Sequence, residues 1–216
     1  MVLATELREV EIVTPARTLD VSGLPDYEIS SRAPLWLGQL LMACIEGSLF
    51  CALIAMYFYL RLSIDIWPPS GIEPPRLTMP SLALIPLILS AAGSYVASEG
   101  AKQNNTRKMV VGLAVNVLLA LFFLALRFIE WRTFNFTWQT DIHGTLVWTI
   151  LFLHTFDVIA DLLMTVILIA IIAFGKHGPQ QRLGVHVDSV VWYFLVLIWI
   201  PLYVTIYWGP HLVGSR

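Results

Sequence analysis

An apolar run from Leu35 to Leu60, with Glu46 its single charged residue, restricts this chain more than any other feature. At about 1.5 Å per residue, a helix of roughly 26 residues outreaches the roughly 30 Å hydrocarbon core of a bilayer. Within that core every backbone N–H and C=O must be satisfied inside the segment, which makes a run of this length a membrane helix. Four further apolar runs, at about 79–97, 109–127, 145–174 and 189–209, are each long enough to cross. The expected fold class is therefore all-α: a membrane protein built as a five-transmembrane-helix bundle. Composition agrees, with 57% of residues hydrophobic and only 13% charged.

Residues 1–34 differ in kind. They are polar, interrupted by Pro15, Pro25 and Pro34, and show no sustained apolar periodicity, so they read as an irregular tail at the membrane surface ahead of a membrane domain over 35–216. The N-terminus has no basic n-region, and the first apolar run is too long and too late for a cleaved signal peptide, so Leu35–Leu60 is expected to remain in the mature chain. A net charge of −2 with scattered basic residues points to no nucleic-acid partner. Lysine and arginine near the spans set the orientation. Arg17, Arg32, Lys102, Arg107, Lys108, Lys176 and Arg182 share one side, against Arg61, Arg76, Arg127, Arg132 and Arg216 on the other. The richer side is the cytoplasmic one, which puts the N-terminus inside and the C-terminus outside. Trp36, Trp67, Trp131, Trp192 and Trp208 fall near span ends and read as interfacial anchors.

Polar residues inside the spans are the functional candidates, because an ionisable group at the bilayer centre costs roughly 2.5–3.5 kcal/mol or more. Glu46 is the deepest isolated acid. Two readings fit it: a protonatable relay member, or a carboxyl hydrogen-bonded across a helix interface. His154, Asp157 and Asp161 are spaced three and four apart in the fourth run. At 100° per residue His154 and Asp161 lie within about 20° of each other and Asp157 about 60° away, so the three share a face. That face must point into protein or a wet crevice, as a buried network, a subunit interface or a proton path. Arg127 and Glu130, three apart at the end of the third run, are spaced to pair locally, read as an interfacial ion pair with a snorkelling arginine. Asn116 suits a cross-helix hydrogen bond, and Ser90-Ala91-Ala92-Gly93-Ser94 a close helix contact. Pro86 and Pro201 are candidate kinks. Cys44 and Cys51 lie on one helix about 10 Å apart along its axis, too far for a disulfide.

Several chemistries lack their residues. The lysines, Lys102, Lys108 and Lys176, are placed in loops, so no Schiff-base lysine stands inside the bundle. Of the histidines only His154 is read as inside a span, with His143, His177, His186 and His211 at or beyond the ends, so no pair of axial haem ligands faces another at matched depth. Neither a Walker loop nor a nucleophile elbow occurs, and no metal site is expected.

Taken together, the acid inside the first span, Met56-Tyr57-Phe58-Tyr59-Leu60-Arg61, Trp67-Pro68-Pro69-Ser70-Gly71-Ile72, Ile129-Glu130-Trp131, and Leu202-Tyr203-Val204-Thr205-Ile206-Tyr207-Trp208 resemble subunit III of the haem-copper oxidases. The similarity runs from about residue 37 to 209 and matches the short five-helix bacterial form. It implies a non-catalytic subunit of a respiratory terminal oxidase in the bacterial cytoplasmic membrane, packed against a catalytic subunit I-like chain and the other oxidase subunits. It also implies bound phospholipid, support of proton uptake, and haem and copper only in the partner subunits. Glu46 matches the family's intramembrane glutamate, Glu130 the acid of its Glu-Tyr/Glu-Trp motif, and His154 the first histidine of its fourth-span pair.

The chain departs from the family pattern at four positions. Asp157 stands in place of the second histidine, His186 in place of a glutamate, and Tyr193 and Val196 in place of the histidine and aspartate of a His-Phe-Val-Asp motif. A quinol oxidase or an accessory subunit associated with nitric oxide reductase is the alternative setting. A self-sufficient proton-coupled transporter or channel built on the same acids is the alternative of a different class.

Overall fold

The computed structural model describes residues 34–212 except 65, 70, 74, 176 and 177, with the backbone alone at 211 and 212. The expected surface tail over 1–33 lies outside the described residues, as do Ser70, Lys176, His177 and Arg216. The chain runs α1 (Pro34–Ser63), α2 (Thr78–Lys102), α3 (Thr106–Trp131), α4 (Ile142–Ala173) and α5 (Pro179–Tyr203). A π-helical turn, Val204–Trp208, continues α5 and leads into a last short helix, α6 (Gly209–Leu212). Five helices are long and apolar enough to cross a membrane, and no strand occurs among the described residues.

Helix starts follow capping chemistry more closely than hydropathy. Asp141 caps α4 by accepting a hydrogen bond from the Gly144 N–H at 2.6 Å, and Asn105 caps α3 by accepting from Lys108 N–H at 3.1 Å. α5 begins at Pro179, directly after Gly178, and not near 189 where the apolar run starts. Proline at the first helical position has the right φ and lacks only an N–H that would be orphaned there. The polar stretch Gln180-Gln181-Arg182 is therefore helical. Two placements read from hydropathy are corrected by the helix bounds: Lys102 closes α2 and Lys108 lies in the first turn of α3, so neither is in a loop, and His186 sits within α5. His143, the second residue of α4, is at a helix end as expected.

α2 and α3 form the tightest pair. They are joined by Gln103-Asn104-Asn105, with Asn104 at φ 52, a left-handed conformation that asparagine tolerates. A Cβ on Gly112 would stand 2.4 Å from Ala97 N, and one on Gly93 2.8 Å from Asn116 N. Backbone thus meets backbone, the small-residue mode of membrane helix association. Asn116 Nδ2 donates to Ser94 Oγ at 2.9 Å, the cross-helix bond its position suggested. α5 closes over this pair: Ser189 donates to the Ser94 carbonyl at 3.0 Å and Trp192 Nε1 to Ser90 Oγ at 2.7 Å. Trp192 is accordingly fully buried and is not an interfacial anchor.

α1 lies outermost. Only Phe50 and Tyr57 of its side chains are buried, and both cysteines are exposed. An apolar helix this open has a surface suited to lipid or to another protein.

Candidate functional site

Polar side chains gather at two levels of the bundle. The first lies at the end where α3 finishes and α5 passes into its π turn. Arg127 Nη1 donates to Glu130 Oε2 at 2.9 Å and to the Tyr207 hydroxyl at 3.0 Å, and that hydroxyl donates to Glu130 Oε1. The ring of three is closed and dry, with Arg127 and Tyr207 at 0% and Glu130 at 1% exposure. The guanidinium carbon lies 4.0 Å from the centroid of Trp199 and 5.1 Å from that of Phe123, so both rings present their negative faces to the cation. The snorkelling arginine expected here does not occur. Aromatic faces and an internal carboxylate take the place of interfacial water around the charge.

The π turn sets this geometry. Pro201 has no N–H to offer its helix, and three residues later the backbone widens to the π form, with Thr205 Oγ1 donating to the Pro201 carbonyl at 2.8 Å. One extra residue in a turn rotates every later side chain by roughly 100° relative to an uninterrupted α register. Tyr207 thereby points into the bundle toward Glu130.

His154 lies at the other side of Trp199's neighbourhood, with ring centroids 4.5 Å apart, and is flanked by Phe50 and Phe123. Its Nε2 is 3.1 Å from the Leu195 carbonyl. A carbonyl oxygen only accepts, so Nε2 carries the hydrogen and the imidazole fastens α4 to α5. Among the described residues no group of three or more His, Cys, Asp and Glu is placed to hold a metal ion.

The second level is acidic. His154, Asp157 and Asp161 do lie along the bundle side of α4, with His154 and Asp161 buried and Asp157 half-buried. Their surroundings differ, however: the histidine faces aromatic rings, whereas the aspartates face other acids. Glu46 on α1 is half-buried and lies within electrostatic range of Asp157 and Asp161 on α4. Asp188 on α5 joins them, 8% exposed, and accepts a hydrogen bond from Thr165 Oγ1 at 2.9 Å. Sequence reasoning missed it because it stands one residue ahead of the apolar run. The Gly178-Pro179 helix start was the signal that would have extended α5 past it.

The remaining distinctive segments also meet at the Arg127 end. Trp67 Nε1 donates to the Tyr57 hydroxyl at 3.2 Å, and the Trp67 ring lies edge-on to His143 at 4.8 Å. Arg61 Nη1 donates to the Gly209 carbonyl, and the Tyr57 ring lies 3.2 Å from where a Cβ on Gly209 would sit. The exit of α1, the loop after it, the end of α3 and the end of α5 are therefore one packed assembly.

The family profile described as cytochrome c oxidase subunit III matches residues 22–210. The chain belongs to that family. The Podospora anserina cytochrome c oxidase subunit 3 is 27% identical over 193 residues, covering 86% of this chain and 72% of the relative. The Gallus gallus cytochrome c oxidase subunit 3 is 25% identical over 178 residues, covering 79% of this chain and 68% of the relative. As a multi-pass subunit III chain, this protein brings four of the segments that resemble the family into one assembly at the Arg127 end, while Glu46 lies among the acids. The residues that depart from the family pattern lie elsewhere, Asp157 among the acids and His186 against Ser98 of α2 at 2.8 Å.

Proposed function

We propose that this chain is the non-catalytic subunit III of a respiratory haem-copper terminal oxidase of a bacterial cytoplasmic membrane. In that reading its N-terminus is cytoplasmic and its C-terminus external, and it packs against a catalytic subunit I-like chain. The family match over residues 22–210 supports it most directly. Surface distribution agrees: only 11% of the apolar window of α1 is buried within the chain, against 28–50% for the other spanning helices. A helix so little covered suits contact with a neighbouring subunit and with phospholipid. Haem and copper, and with them electron transfer, belong to the partner subunits.

Two roles are proposed for the polar levels. Arg127, Glu130 and Tyr207 hold the outer ends of α3 and α5 in register. Glu46, Asp157 and Asp161 form a proton-linked face between α1 and α4 that supports proton supply to the catalytic subunit.

The test is gentle purification of the tagged chain from its native membrane, followed by an absorption spectrum and identification of every co-purifying subunit. Haem-copper oxidase subunits in stoichiometric amount are expected. A preparation free of them overturns the reading, and proton flux through the isolated chain in liposomes, abolished by Glu46→Gln, marks a channel instead.

A further inference from the structure

Of the four acids between α1, α4 and α5, Asp161 and Asp188 are enclosed, at 9% and 8% exposure. They come from different helices, α4 and α5, which meet at this level. Thr165, one turn beyond Asp161, joins the two helices. Its hydroxyl lies 2.9 Å from Asp188 Oδ1 and 3.0 Å from the Asp161 carbonyl oxygen. A threonine hydroxyl has a single hydrogen to give, so it satisfies one of these acceptors at a time. Asp161 Oδ2 and Asp188 Oδ2 are left buried with no hydrogen-bond partner among the described residues.

Asp188 meets α4 one helical turn from Asp161, and two ionised carboxylates enclosed so close to one another at this depth would combine desolvation with like-charge repulsion. One proton between them removes a charge and turns the repulsion into a hydrogen bond, using the oxygens that otherwise lack partners. The charged groups that face the pair do not oppose this. Asp161 is acted on by Asp188 from α5 and Glu46 from α1, and Glu46 acts in turn on Asp157 of α4. The histidines of the facing helices are engaged elsewhere, His154 with the Leu195 carbonyl and His186 with Ser98 of α2.

We propose that Asp161 and Asp188 form a single proton-binding site, holding one proton between their carboxyl groups across the α4–α5 contact. Thr165 fixes Asp188. This deepens the proton-linked face proposed for Glu46, Asp157 and Asp161 by naming the pair that holds the proton, and it does not depend on which subunits accompany the chain.

The experiment is infrared difference spectroscopy of the purified assembly through a pH titration, with the aspartates isotopically labelled at the carboxyl carbon. The expected result is one label-sensitive protonated-carboxyl band per chain at neutral pH, lost on raising the pH. Asp161→Asn and Asp188→Asn should each abolish the band at neutral pH, because the surviving carboxylate gains an amide donor and loses its like-charge neighbour. Asp157→Asn should retain it. A wild-type spectrum with no such band at neutral pH overturns the proposal without any variant. Persistence of the band in both Asp161→Asn and Asp188→Asn overturns it as well. Failure of the subunit III reading shows instead in which chains co-purify, a separate observation on the same sample.

Discussion

Arg127 Nη1 lies 2.9 Å from Glu130 Oε2 while neither side chain exposes more than 1% of its surface. An ion pair so enclosed is costly to assemble, yet far more costly to leave half-made. Tyr207 closes the hydrogen-bond ring at Nη1, and the faces of Trp199 and Phe123 take up the rest of the guanidinium, whose Nε and Nη2 have no hydrogen-bond partner among the described residues.

Glu130→Gln removes the counter-charge and leaves Arg127 enclosed as a lone cation. Breaking a buried pair in this way costs about 3–5 kcal/mol. The expected outcome is a clear drop in the thermal midpoint of the detergent-purified protein. Replacing both partners together, Arg127→Met with Glu130→Leu, should recover most of the loss.

Tyr207→Phe is the milder lesion at the same place. It deletes a hydroxyl that accepts from Arg127 and donates to Glu130 but leaves the ion pair intact. Hydrogen bonds to charged groups are worth about 1.5–3 kcal/mol, so the same thermal assay should place this variant between wild type and Glu130→Gln.

Gly112→Ala tests the α2–α3 contact. The new methyl would stand 2.4 Å from Ala97 N, which is backbone and has no rotamer to yield. The two helices must separate, at a cost of about 1–3 kcal/mol. Gly38→Ala, with nothing within 4 Å of the added carbon, is the matched control and should not lower the thermal midpoint, since alanine is the better helix former.

Cys44→Ala with Cys51→Ala should leave stability within about 0.5 kcal/mol of wild type, because both side chains are exposed on α1. Non-reducing electrophoresis of the wild-type chain should show no internal disulfide, since the two thiols are separated by about 10 Å along the helix axis.

The bundle was legible in the sequence because a bilayer imposes one rule on every span: apolar length. That rule is silent about where a helix starts when its first turns leave the hydrocarbon. Gly178-Pro179 marked the start of α5, while hydropathy marked a point beyond Asp188, so the acid was left outside the helix. The face shared by His154 and Asp161 followed from helical periodicity. Periodicity relates residues only within one helix, however. It could not show that Leu195 would meet His154, or that Thr165 would reach Asp188. Arg127 was misread for a related reason. A charge near the end of a span ordinarily reaches for water, and only the facing residues Trp199 and Tyr207, some 70–80 positions away in the chain, supply the alternative.

The π turn at Val204–Trp208 has a consequence for how this segment tolerates change. Tyr207 and Gly209 reach Glu130 and Arg61 through a residue count that includes one more residue than a plain helix would need. Deleting a single residue there restores regular winding and swings both positions away from their partners, whatever side chains remain. The stretch should therefore accept conservative replacements and reject changes of length, so that insertions and deletions are the lesions to which this end of the protein is most sensitive.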